Sequence, residues 1–147
     1  MGDLAPKSYK SKRIWDVAPE RRFLFHYTDV GAARAIFATR TVKVGWRHPR
    51  RPGFYVCGYA PGAVTPTELR SLVLDGAAGW QRRTYAVVVI EVLPPLSFER
   101  DDVRGDAWCH RAEAGTELHL PLHVLGYGVR ERGRQREWRL SYGCYDK

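Results

Sequence analysis

Residues 23–28 read "FLFHYT" and residues 29–40 continue "DVGAARAIFATR". Four of the six residues in the first stretch are large and apolar or aromatic, the composition of a buried strand. In the second stretch, Val30, Ala33, Ile36 and Phe37 recur at the i, i+3, i+4 spacing of one helix face, and Thr28 or Asp29 can cap its start. A strand is therefore expected to turn directly into a helix. At that corner stands His26, an ionisable ring at the end of an apolar run. Such a histidine either satisfies a core contact or faces a ligand.

Outward from this corner, "TVKVGW" (41–46) alternates with period two, and "FYVCGY" (54–59) follows the basic loop "RHPRRPG" (47–53) as a further strand. "TPTELRSLVLDG" (65–76) carries a complete helix start: Thr65 as cap, Pro66 at the first helical position and Glu68 closing a capping box. Leu69, Leu72 and Val73 give that helix a buried face, and Gly76 can end it. "TYAVVVIEV" (84–92) is the strongest strand signal and is stopped by Pro94 and Pro95. A charged loop is expected over 97–115. Strands over 116–130 and 137–146 follow, separated by the turn-like "ERGRQR". Helices early and strands late imply an α+β class with a mostly antiparallel sheet. Residues 1–20 are expected to be a loose leader and 21–147 a single domain, a length sufficient to bury its own core.

The formal net charge is +8, carried mostly by arginine, which suits anionic partners and phosphate in particular. An arginine-rich solvated surface would give the same count. No apolar run approaches the roughly 18 residues of a membrane span. The polar, basic N-terminus has no secretory h-region, and Pro6 stands where a myristoylation signal takes Ser or Thr. A cytoplasmic protein, or an effector delivered into a target cell, is the expectation. The three scattered cysteines, Cys57, Cys109 and Cys144, make no disulfide framework. Cys109, His119 and His123 are loosely zinc-like in spacing, but a closed site takes four ligands and a second paired cysteine is missing; no metal is expected. Neither a G-x-G-x-x-G loop nor a P-loop occurs.

Three pieces remain. His26, Tyr27 and Thr28 end the first strand; Gly53 and Tyr55 form a "G-x-Y" at the start of the next; Glu117 opens a strand four residues before Pro121. Each has an ordinary structural role available, as core histidine, core aromatic and surface carboxylate. Together, in this order, they resemble the ADP-ribosyltransferase fold in its His-Tyr-Glu class, which includes diphtheria toxin and the poly(ADP-ribose) polymerases, and most closely its small bacterial toxin-type members. The likeness runs over about residues 23–121 and rests on short motifs. Some toxin-type members, defined by His-Tyr-Asp, carry an acidic residue just after the "G-x-Y" strand. This chain has Gly58 near that point, so the acidic role falls to Glu117 or to a carboxylate elsewhere.

The resemblance implies a split antiparallel sheet, a monomer, NAD as co-substrate, and transfer of ADP-ribose to a protein or nucleic-acid acceptor. It also admits an acidic immunity protein as partner. His26 would bond a ribose hydroxyl, Tyr27 would hold the carboxamide through its main chain, and Tyr55 would stack on the nicotinamide. Glu117 would stabilise the positive ribose and polarise the nucleophile. Thr28 and Tyr59 would complete the NAD site, with Arg51, beside Arg47 and Arg50, meeting the pyrophosphate. An oxocarbenium-like state needs this kind of held ribose and nearby negative charge. An NAD glycohydrolase on the same fold is the neighbouring alternative, and a basic nucleic-acid-binding module is the alternative from another class. A transferase moving a 2′-phosphate from RNA to NAD would need an additional N-terminal lobe, which a chain this short does not display.

Overall fold

The computed structural model describes residues 12–45, 52–73, 81–101, 106–131 and 137–145. In chain order the elements are α1 (Ile14–Val17), β1 (Phe23–Thr28), α2 (Val30–Thr39), β2 (Thr41–Lys43), β3 (Gly53–Cys57), α3 (Pro66–Leu72) and a 3-10 turn (Arg82–Thr84). Then follow β4 (Ala86–Glu91), β5 (Glu99–Arg100), β6 (Ala107–Arg111), β7 (Glu117–His119), β8 (Val124–Arg130), β9 (Trp138–Leu140) and a second 3-10 turn (Tyr142–Cys144). Seven strands form one sheet in the order β5-β6-β3-β1-β4-β8-β9, and β2 and β7 pair as a separate two-stranded sheet. Every pairing is antiparallel. The α+β, mostly antiparallel class read from the sequence is what the chain adopts.

β4 lies inside the sheet, between β1 and β8, and is buried along its whole length, which explains why "AVVVIE" is a continuous rather than alternating apolar run. Val88 and Ile90 enter one core with Ala33 and Ile36 of α2. Val87 and Val89 enter the other with Leu69 and Val73 beside α3. α2 and α3 therefore cover opposite faces of the sheet. Both helices start as their residues dictate. The Asp29 side chain accepts from the Ala32 N–H, and Thr65 with Glu68 forms the expected capping box.

Three expectations change. The loop expected over 97–115 contains β5 and β6, and β6 is the neighbour of β3 along its full length. Alternation in "AWCHR" is short and interrupted by charge, so the strand is visible only through its partner. The run 116–130 is two strands, β7 and β8, because the chain turns at Pro121–His123 and β7 leaves for β2. The leader, where described, is packed: Ile14 is buried, the Trp15 ring meets Phe25 edge-on at 5.2 Å, and Arg13 bridges to Tyr145.

The main sheet carries one buried carboxylate. Glu91, at the end of β4 and 7% exposed, receives both Arg21 Nε and Nη2 at 2.7 Å. Its N–H donates to the His123 carbonyl at 2.9 Å, and His123 Nδ1 donates to the Glu91 carbonyl at 3.1 Å. One residue thus joins the entry to β1, the end of β4 and the turn before β8. The Arg21 hydrogen bonds hold the Glu91 carboxyl below its ordinary range, against the opposing effect of burial. Glu91→Gln removes the attraction but leaves Arg21, whose side chain is 35% exposed and can be hydrated, so it is expected to lower stability by about 1–2 kcal/mol. A carboxylate whose folded pKa is depressed stabilises above its unfolded pKa, and that contribution is lost as pH falls through the folded value. Urea melts should therefore show the full difference between wild type and variant near neutrality, shrinking below about pH 4.

Candidate active site

β1 is paired with β4 over six residues but with β3 at one position, Phe25↔Cys57. Which groups this leaves facing the opening follows from ladder geometry. The Val92 N–H donates to the Arg22 carbonyl at 2.9 Å. Peptide groups alternate sides along an antiparallel strand, so Leu24, His26 and Thr28 turn theirs toward β4, while Phe23, Phe25 and Tyr27 turn theirs toward β3. The next rung beyond Phe25↔Cys57 would join Tyr27 to Tyr55, and no such rung forms. The N–H and C=O of Tyr27 consequently point into a gap in the sheet.

The gap has causes on both sides. β3 stays with β6 over all five of its residues. Gly53 lies so close to β6 that a Cβ would collide with Cys109 Sγ and come within 2.9 Å of the His110 carbonyl, so only glycine allows that approach. On the β1 side, the His26 ring stands against Phe54, centroids 4.9 Å apart, and its Nδ1 donates to the Tyr55 carbonyl at 2.8 Å. A carbonyl can only accept. Nδ1 therefore carries the hydrogen, and in the neutral ring Nε2 is the acceptor.

A cavity of about 480 Å³ opens at this point. β1 contributes His26, Tyr27 and Thr28, and β3 contributes Gly53 and Tyr55. Its wall continues through Ala32 and Ile36 of α2 on one face of the sheet and Val73 on the other. Two cations, Lys43 of β2 and Arg83 before β4, and one carboxylate, Asp29, also line it. Apolar walls with a few convergent polar groups are the usual make-up of a small-molecule site.

Glu117 does not line the cavity but stands next to it. It pairs in register with Lys43, and His119 pairs with Thr41, while Val42 and Leu118 turn the other way. Thr41, Val42 and Lys43 all belong to the cavity wall, so β2 borders the cavity along its length, and Glu117 and His119 stand one strand further out, beside Lys43 and Thr41. Facing residues in such a pair have Cβ atoms about 4.5–5.5 Å apart.

Of the residues singled out from the sequence, His26, Tyr27, Thr28 and Tyr55 are brought into one cavity and Glu117 to its edge. Tyr59 is elsewhere: its carbonyl accepts the Tyr27 hydroxyl at 2.6 Å and its own hydroxyl donates to Asp106 at 3.0 Å. Arg47, Arg50 and Arg51 lie outside the described residues. Lys43 and Arg83 were not foreseen; alternation in "TVKV" puts Lys43 on the polar face, but nothing local says what that face borders. The zinc-like trio disperses, with Cys109 behind Gly53, His119 on Thr41 and His123 on Glu91. Among the described residues no group of three or more His, Cys, Asp or Glu is arranged to hold a metal ion, and no helix is long and apolar enough to cross a membrane.

Compared with protein-family models, with curated proteins and with solved structures, the chain matches none.

Burial sets the chemistry of the remaining titratable groups nearby. The Tyr27 hydroxyl is pushed well above its ordinary pKa, chiefly by burial. Burial likewise pushes the Cys57 thiol up to about 12 and the Cys144 thiol up to about 11. All three cysteines are buried, and a nucleophile must be a thiolate. The folded protein is therefore expected to leave an aromatic disulfide reagent unreacted at mildly alkaline pH, and to release three equivalents once denatured. One rapidly reacting thiol in the native state would show an activated cysteine.

Proposed function

We propose that the protein is an NAD-dependent mono-ADP-ribosyltransferase, acting as a toxin or effector module. The observation that supports this best is the peptide edge of Tyr27, turned toward a sheet gap where β1 and β3 stop pairing, with His26 and Tyr55 lining the same cavity. A primary carboxamide carries one acceptor and two donors, and matches an extended N–H and C=O pair of that kind. Nicotinamide is a flat ring bearing such a group. Tyr55 supplies an aromatic wall for the ring, and the bond from His26 Nδ1 to the Tyr55 carbonyl fixes the imidazole beside the place a ribose would occupy.

The rest follows from charge. As the bond between ribose C1′ and the nicotinamide nitrogen breaks, its electron pair neutralises the pyridinium and positive charge develops on the ribose. Of the two carboxylates near the cavity, Asp29 in its wall is engaged by the Ala32 N–H at the start of α2, and Glu117, beside Lys43, is the one we assign to stabilise that charge. Lys43 and Arg83 give the cavity wall positive charge fitted to a pyrophosphate, and the +8 balance favours anionic ligands generally.

The test is direct. NAD is expected to raise the melting temperature of the purified protein, and free nicotinamide to appear on incubation. Glu117→Gln should retain NAD binding and lose about 10²–10³ in rate. Arg83→Ala should weaken NAD binding about tenfold with a smaller change in turnover. A protein whose melting temperature is indifferent to NAD and which releases no nicotinamide would end this reading.

A further inference from the structure

β7 carries a second polar group on the face that holds Glu117. His119 Nδ1 lies 3.1 Å from the Thr41 hydroxyl, and Thr41 belongs to the cavity wall. The same hydroxyl donates to the Thr39 carbonyl at 3.2 Å. A hydroxyl has one hydrogen, and the carbonyl can only accept it. With its hydrogen on the Thr39 carbonyl, Thr41 Oγ1 accepts from His119, the arrangement in which the ring hydrogen is on Nδ1 and the lone pair of the neutral imidazole on Nε2. Thr41 is itself held: its N–H meets Thr39 Oγ1 at 3.2 Å, and Thr39 Oγ1 donates to the Ala35 carbonyl at 2.8 Å in the last turns of α2. A base oriented by a second, anchored group is the arrangement by which nucleophiles are activated.

We propose that His119 is the general base for the acceptor, and that the acceptor reacts through a hydroxyl, water being the simplest. This rests on the NAD reading of the cavity. In the step, the C1′–N bond breaks with its electron pair going to the nicotinamide nitrogen. The acceptor oxygen bonds C1′, and the hydroxyl proton passes to His119 Nε2 and then to solvent. Glu117 takes no proton in this step and stays beside the ribose. The two residues divide the work that one carboxylate would otherwise do: Glu117 answers the positive ribose, and His119 takes the proton. A hydroxyl needs that removal because it becomes acidic only as it attacks. His119 is exposed, so its replacement leaves the core untouched.

The experiment measures NAD cleavage with water as acceptor, together with NAD binding by calorimetry, for wild type, His119→Ala and Thr41→Val. His119→Ala is expected to bind NAD as wild type does and to cleave it about a hundredfold more slowly, with added imidazole restoring part of the rate. Thr41→Val, which frees the ring to take either tautomer, is expected to fall between the two and to gain nothing from imidazole. Wild-type cleavage by His119→Ala overturns the proposal and leaves the NAD reading standing. So does a loss that imidazole cannot restore, or one accompanied by lost NAD binding. A wild-type protein that neither binds nor cleaves NAD overturns the NAD reading and this proposal with it.

Discussion

β1 is held by β4 over its whole length and by β3 at a single rung, and the site depends on that imbalance. Backbone donors and acceptors removed from water without partners cost about 1–3 kcal/mol each, so a ladder that stops early inside a sheet needs a reason. Here β3 is committed to β6 by a glycine contact that tolerates no Cβ. His26 bonds the Tyr55 carbonyl across the widening gap in place of a main-chain rung. The peptide group of Tyr27 is left facing a cavity rather than a neighbouring strand. A ligand that supplies an amide in the plane of the sheet completes the ladder where β3 does not.

The two sheets divide the labour around this gap. The seven-stranded sheet, buried on both faces through β4, supplies rigidity and the residues that grip. The two-stranded sheet stands apart from it and presents Thr41, Lys43, Glu117 and His119 on one exposed face. The Arg21–Glu91 pair, at the far end of β1 from the gap, fixes β1 to β4 and to the turn that sends the chain from β7 into β8.

Much of this was legible in the residues, and the parts that were not share a cause. β1, α2, α3 and β4 are stated by local patterns: an apolar run, a 3.6-residue period, a capping box and a β-branched block. His26, Tyr27, Thr28 and Tyr55, singled out through the family resemblance, lie on β1 and β3 and share one cavity. β6 was hidden because its strand character comes from pairing with β3, not from its own alternation. Lys43 and Arg83 were missed because their importance comes from what lies across the cavity, a long-range fact. Tyr59 was drawn in by sequence proximity to Tyr55, yet its hydroxyl is engaged with Asp106. His119 entered the sequence reading only through a zinc-like spacing, because the hydroxyl it meets belongs to a strand 78 residues earlier.

The central claim is that the gap between β1 and β3 receives a carboxamide on the main chain of Tyr27. Backbone amide NMR during a titration with nicotinamide, and then with NAD, reads this at the atom concerned. The account predicts that the Tyr27 amide proton moves downfield to a saturating value with both ligands, with Tyr55 and Thr28 following, and that Lys43 and Arg83 respond to NAD alone. Saturable shifts that leave Tyr27 unmoved, or none at all, would contradict it.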